Sequence, residues 1–172
     1  MNLLYELGVY GPLILFFLST FLLKNNKILF NYYLTGILLN TILNIILKAV
    51  IQQPRPSVDK RQFELLKSHA THYLFQNGVP FDMLGMPSGH AQSSLFSLVF
   101  IYYSLGETKW LYIYSALTLI TLYQRVAYNF HTISQIMVGT IIGLCMAYIM
   151  FEMAREKIKG KIRPKLDDNA PF

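Results

Sequence analysis

Apolar positions along this chain gather into long uninterrupted runs, and the polar positions fall mostly in the gaps between them. Five runs stand out: about Leu7 to Leu23, Ile28 to Ile51, Ser88 to Leu105, Trp110 to Tyr128 and Ile133 to Met153. Each approaches the ~20 residues that a helix needs to cross the hydrocarbon layer of a bilayer. Lipid offers no partner to a backbone amide or carbonyl, so runs of this kind are expected to be helices that satisfy themselves and pack together. The expected fold is therefore all-α, a multi-span transmembrane helical bundle with about five spans. The breaks have local causes. Lys24 closes the first run, and Gln52-Gln53-Pro54-Arg55-Pro56 closes the second, because proline lacks the amide donor and pushes its predecessor out of the helical region. Gly106 and Glu107 stop the third. The first run has Glu6 before it, no basic leader and no Ala-x-Ala-like exit, so it reads as a span and not as a cleaved signal.

The longest gap, Ser57 to Met86, is polar and too long for a tight turn. In its middle, Lys60 to Phe75, the residues Phe63, Leu66, Ala70 and Tyr73 recur at helical spacing against Lys60, Glu64 and Lys67. That pattern suggests a short amphipathic helix on the membrane surface, either a lid over a site or a plain connector. His69 and His72 are three apart on it, but no third ligand stands nearby, so no metal site is assigned. After Ala154 the chain carries Arg155, Lys157, Lys159, Lys161, Arg163 and Lys165. The expected organisation is one transmembrane domain over 1–154 and a basic tail over 155–172.

Composition narrows the function. The chain has 172 residues, 53% of them hydrophobic and 14% charged, with a formal net charge of +6. The cations sit at span ends or in the tail, which points to lipid head groups and not to nucleic acid as partners. Cys145 is the lone cysteine and lies in an apolar run, so neither a disulfide framework nor a cysteine metal site is available within the chain. With five spans, nine of the fifteen Lys and Arg residues fall on the side of the tail. That side is expected to be cytosolic, and the opposite side lumenal or extracellular.

The opposite side also holds the chemistry. Lys48 and Arg55 are seven residues apart, a spacing that a continuing helix would return to one face. Pro87-Ser88-Gly89-His90 directly precedes an apolar helix, and the free amides of a helix N-terminus with a small glycine form a natural phosphate cradle, with Ser88 and Gly89 as donors. Arg125 lies near the end of the fourth run, where an unpaired charge is by default functional, and its planar fork suits phosphate oxygens. His131 follows six residues later. Singly, each of these reads as an interfacial residue. Jointly, three cations and two histidines at membrane boundaries on one side point to a bound anion, and phosphate is the obvious one.

The ordered motifs Lys48-x6-Arg55-Pro56, Pro87-Ser88-Gly89-His90 and Arg125-x5-His131 resemble the type 2 phosphatidic acid phosphatase superfamily. Gln124 and Gln135 stand where its third motif usually has serine and aspartate, and the stretches Gly85 to Gln92 and His131 to Gln135 look most like the dolichyl-diphosphatase branch, which also has glutamine at the last position. The family core normally has six spans, so five suggests loss of the first. The resemblance implies a phosphatase acting on a lipid phosphate or diphosphate, most of all a polyprenyl diphosphate, in the endoplasmic reticulum of a eukaryote. It implies that His131 attacks phosphorus, that His90 protonates the leaving oxygen and then activates water, and that no metal or other cofactor takes part. Lys48, Arg55, Arg125, Ser88 and Gly89 would hold the phosphoryl oxygens. Gln135, at i+4 from His131, would orient its ring. The other readings are a phosphatidate or lipid monophosphate phosphatase, and a membrane protein that binds lipid phosphates without turning them over; a soluble sugar phosphate fits least.

Overall fold

The computed structural model describes residues 3–69, 79–106 and 108–160; of His69 and Thr108 it describes the backbone alone. Among these residues six α-helices follow one another: α1 (Leu3–Leu23), α2 (Lys27–Ile51), α3 (Lys60–His69), α4 (Gly89–Leu105), α5 (Thr108–Ala127) and α6 (Ile133–Ile158), with a 3-10 turn at Phe81–Met83. Among the described residues there is no strand, only an isolated bridge between Pro54 and Leu84. The fold is all-α, and α1, α2 and α6 are long and apolar enough to cross a membrane. This is a membrane protein.

The helix limits follow their caps. Asn26 accepts the Leu29 amide at 3.2 Å and starts α2. The same helix stops where Gln52 takes a left-handed conformation, φ 48°, with Pro54 and Pro56 close behind. Arg55 therefore does not lie on a continuation of α2: the expectation of a shared helical face with Lys48 fails because the helix ends four residues too early. Gly106, φ 63°, ends α4. Thr132 and Gln135 form a reciprocal capping box at the start of α6.

α4 is the centre of the bundle and packs on α1, α2, α5 and α6. This explains why α4 carries Ser94, Ser97 and Gln92 yet is buried: its polar groups meet other helices and not lipid. α6 approaches it through Gly139, where a side-chain carbon would stand 2.5 Å from the Ser88 carbonyl, and Gly143, which backs onto Gln92. Away from the site the core is aromatic, with Tyr33, Phe96 and Phe100 in mutual contact. The hydroxyls of Tyr33 and Tyr114 are paired to Ser97 and Ser19, each at 2.8 Å, joining α2 to α4 and α1 to α5. Large apolar side chains such as Phe17, Phe21, Leu38, Leu119 and Ile141 point outward, as a lipid-facing surface requires.

The surface helix expected over 60–75 is seen as α3 up to His69; the expected continuation through Ala70, His72, Tyr73 and Phe75 lies outside the described residues. Phe63 is buried against Val79 and Leu84, with Leu66 beside them, so α3 is pinned by its apolar face to the segment that leads into α4.

Candidate active site

All three motif segments arrive at one end of the bundle: the C-terminal end of α2 and the turn after it, the N-terminus of α4, and the turn that joins α5 to α6. Lys48 Nζ donates to the Leu84 carbonyl at 2.9 Å, and Arg55 Nε reaches the same oxygen at 3.4 Å. Arg55 arrives there by a backbone route. Its amide bonds to Met83 O at 2.9 Å and Gly85 N bonds to Gln53 O at 2.7 Å, so the 53–55 turn is laced to the 83–85 segment. The Lys48 ammonium also lies 4.5 Å over the Phe81 ring.

Arg125 comes from the opposite wall. Its guanidinium stacks 4.8 Å from the Phe130 ring, its carbonyl accepts the Phe130 and His131 amides, and its Nε finds no acceptor. Lys48, Arg125 and His131 are only 3%, 6% and 3% exposed, so water cannot satisfy the two charges, and an anion is what would. The half-buried Arg55 has its guanidinium pushed below its usual value by burial, against the opposing pull of the nearby Asp82 carboxylate.

Gln135 is the hub. Its Oε1 accepts from the Thr132 amide at 3.2 Å, while its Nε2 donates to Pro54 O at 2.9 Å and Gln53 Oε1 at 3.2 Å. An amide N–H at one end and a carbonyl at the other fix the orientation of the group. The 3.2 Å contact between Oε1 and His131 Nδ1 must then have the ring donating, which leaves the His131 Nε2 lone pair free. The Gln135 carbonyl also accepts the Ser88 amide at 3.0 Å. One residue thus touches all three motif segments. Gly85 makes this possible, since a side-chain carbon there would lie 2.6 Å from the Gln135 amide. Burial is the main cause that pushes the His131 ring down to about 3, helped most by the Arg55 charge and opposed by the Gln135 bond. Burial thus favours the neutral form of the His131 ring.

Ser88 is fully buried and caps α4, its Oγ 3.5 Å from the Ala91 amide. Its own amide is taken by Gln135, so the backbone donors left for an anion are those of Gly89 and His90 in the first turn of α4. Asn44 steadies this turn from α2, donating to Pro87 O at 3.3 Å and to Gln92 Oε1 at 2.7 Å. His90 is held from another element. Its Nε2 is 3.1 Å from the Val9 carbonyl of α1, an acceptor only, so the proton is on Nε2. The charges of Lys48, Arg55 and Arg125 act on both rings. Among the described residues no three His, Cys, Asp or Glu side chains are grouped to hold a metal; His72 and the side chain of His69 lie outside them.

Sequence reading did not find Gln53, Leu84, Val9, Phe81, Phe130 or Asn44. The first and fifth adjoin motif residues, which is the only signal they offer; Leu84 and Val9 act through backbone carbonyls, which carry none.

A helical membrane bundle with three cations and two histidines gathered at one end is the class that fold and site together define. Within that class the chain belongs to the PAP2 superfamily, whose family model matches residues 29–159. It is 30% identical over 140 residues to human dolichyldiphosphatase 1, covering 72% of this chain and 52% of that protein. The mouse protein of the same name is also 30% identical, over 141 residues, with the same coverage. The chain spans about half the length of the curated relatives it matches. No solved structure matches it significantly.

Proposed function

We propose that this chain is a membrane phosphatase that hydrolyses a polyprenyl diphosphate such as dolichyl diphosphate through a phosphohistidine. The observation that carries the reading is the state of His131: a neutral ring, its Nδ1–H held by Gln135, with a free Nε2 lone pair in the field of three cations. An oxygen of the terminal phosphoryl group displaces the Leu84 carbonyl from Lys48 and Arg55, and Arg125 with the Gly89 and His90 amides takes the others. His131 Nε2 attacks phosphorus as the bond to the leaving oxygen breaks, and His90, entering the step as the imidazolium with the substrate's negative charge beside it, turns from the Val9 carbonyl, gives its Nε2 proton to that oxygen and becomes neutral. His90 then takes a proton from water, whose oxygen attacks the phosphorus. The N–P bond breaks, its electron pair returns to His131, and inorganic phosphate leaves.

Membership of the family and the name shared by the relatives support a lipid phosphatase; the diphosphate preference rests on those relatives. The proposed catalytic unit is residues 1–154 as a five-span bundle in the endoplasmic reticulum. Phosphate release by the purified protein, with EDTA present, is expected to be fastest from dolichyl diphosphate, slower from phosphatidate and negligible from glucose 6-phosphate. Phosphatidate as the better substrate makes this a monophosphate phosphatase, and no release from any makes it a lipid-phosphate binder.

The distribution of basic residues supports a lumenal site and a cytosolic tail. Protease applied from the cytosolic face of sealed vesicles is expected to trim the chain beyond Arg155 and leave the 57–86 loop whole. Cleavage of the loop instead places the active site in the cytosol.

A further inference from the structure

An open groove of about 500 Å³ runs along the bundle between α1 and α2, and its head is formed by Gly89 and His90. Val9, Leu13 and Phe16 make one wall and Ile37 and Thr41 the other, so it is mostly apolar, with Asn44 and Ser93 as polar groups near its head. His131 does not line it. This placement matters for chemistry. In an in-line displacement the nucleophile and the leaving oxygen lie on opposite sides of phosphorus, so the part of the substrate attached to the leaving oxygen must extend away from His131 and past the group that protonates it. Under the proposed function that group is His90, and the groove begins at its ring.

We infer that the groove between α1 and α2 holds the start of the substrate's hydrocarbon chain, the segment nearest the leaving phosphate, and leaves the remainder in the bilayer. The inference rests on the phosphatase reading and deepens it. The walls set the length that is read. From Val9 to Phe16 is seven residues, about 10 Å along a helix at 1.5 Å per residue. An extended carbon chain advances roughly 1.2 Å per bond, so the groove accommodates about two isoprene units. Because the chain leaves lipid and not water, the gain is contact and orientation of the leaving group, with little hydrophobic drive. Discrimination should therefore be strong over the first units and absent beyond them.

The test uses the full chain in mixed micelles at fixed substrate mole fraction, with C5, C10, C15 and C20 isoprenyl diphosphates as probes. Turnover is expected to rise ~10-fold from C5 to C10 and to stay within about 2-fold from C10 to C20. Filling the groove from either wall, with Leu13→Trp or with Thr41→Trp, should abolish the gain from C5 to C10 and bring C10 to C20 down to the variant's own C5 rate, while an unchanged circular dichroism spectrum and Tm show that the variant is folded. A rise that continues evenly to C20, or groove-filled variants with the parent's chain dependence, overturns the groove assignment while the phosphatase stands. No phosphate release from any of the four probes overturns the phosphatase reading and the groove assignment with it.

Discussion

Replacing His131 by alanine is expected to abolish turnover, by ~10³-fold or more, while lipid-phosphate binding falls by no more than a few-fold. The separation follows from the division of labour proposed for the site. Lys48, Arg55 and Arg125 hold the anion whether or not a nucleophile is present, and none of them is bonded to the His131 ring. The two numbers to compare are the initial rate of phosphate release and the affinity for a non-hydrolysable lipid diphosphonate. A rate near that of the parent would end the covalent mechanism through His131. A matched loss of binding and rate would instead mean that the imidazole is part of the anion cradle.

Gln135→Leu is expected to lower turnover ~10²-fold, chiefly in kcat, by a different route. Leucine can take neither the Nδ1–H of His131 nor the amide of Thr132, and it cannot donate to Pro54 or Gln53. The ring loses its tautomer and the 53–55 turn loses a tie to α6. Half of the capping box goes too, for about 1 kcal/mol of stability, so a small fall in Tm accompanies the loss of rate. Parent-like turnover in this variant would reduce Gln135 to a helix cap. Gln135→Asp separates the electrostatic part. A carboxylate beside Nδ1 favours the charged ring, so the acid limb of the pH profile, set far down while His131 titrates near 3, should move up. The same carboxylate faces two acceptors, Pro54 O and Gln53 Oε1, in place of the amide that now donates to them. It is therefore also expected to lower stability, a consequence that the spacing of His131 and Gln135 alone does not show.

Much of this site is visible in the order of residues, and the reasons are local. Long apolar runs and their polar breaks mark the helices to within a few residues, because a backbone in lipid has one way to satisfy itself and because proline, Gly106 and the Thr132 cap act on their neighbours. The bond from Gln135 to His131 is a one-turn relation, and so is the cap that Ser88 makes. The meeting of Lys48 with Arg55 was legible as a fact and not as a geometry. The two side chains converge on one oxygen, but through a left-handed residue and a turn laced to the 83–85 segment, where helical spacing predicts a shared face.

The amino-acid sequence by itself determined that this is an all-helical membrane chain with the three motif cations and two motif histidines placed at the ends of its apolar runs. Tertiary structure alone decided which of these groups face one another and where the groove opens. Those outcomes depend on backbone carbonyls at Leu84 and Val9 and on close helix contacts at Gly139 and Gly143. A carbonyl is the same in every residue, and a glycine in a span does not announce what lies against it, so only the packed bundle reveals either.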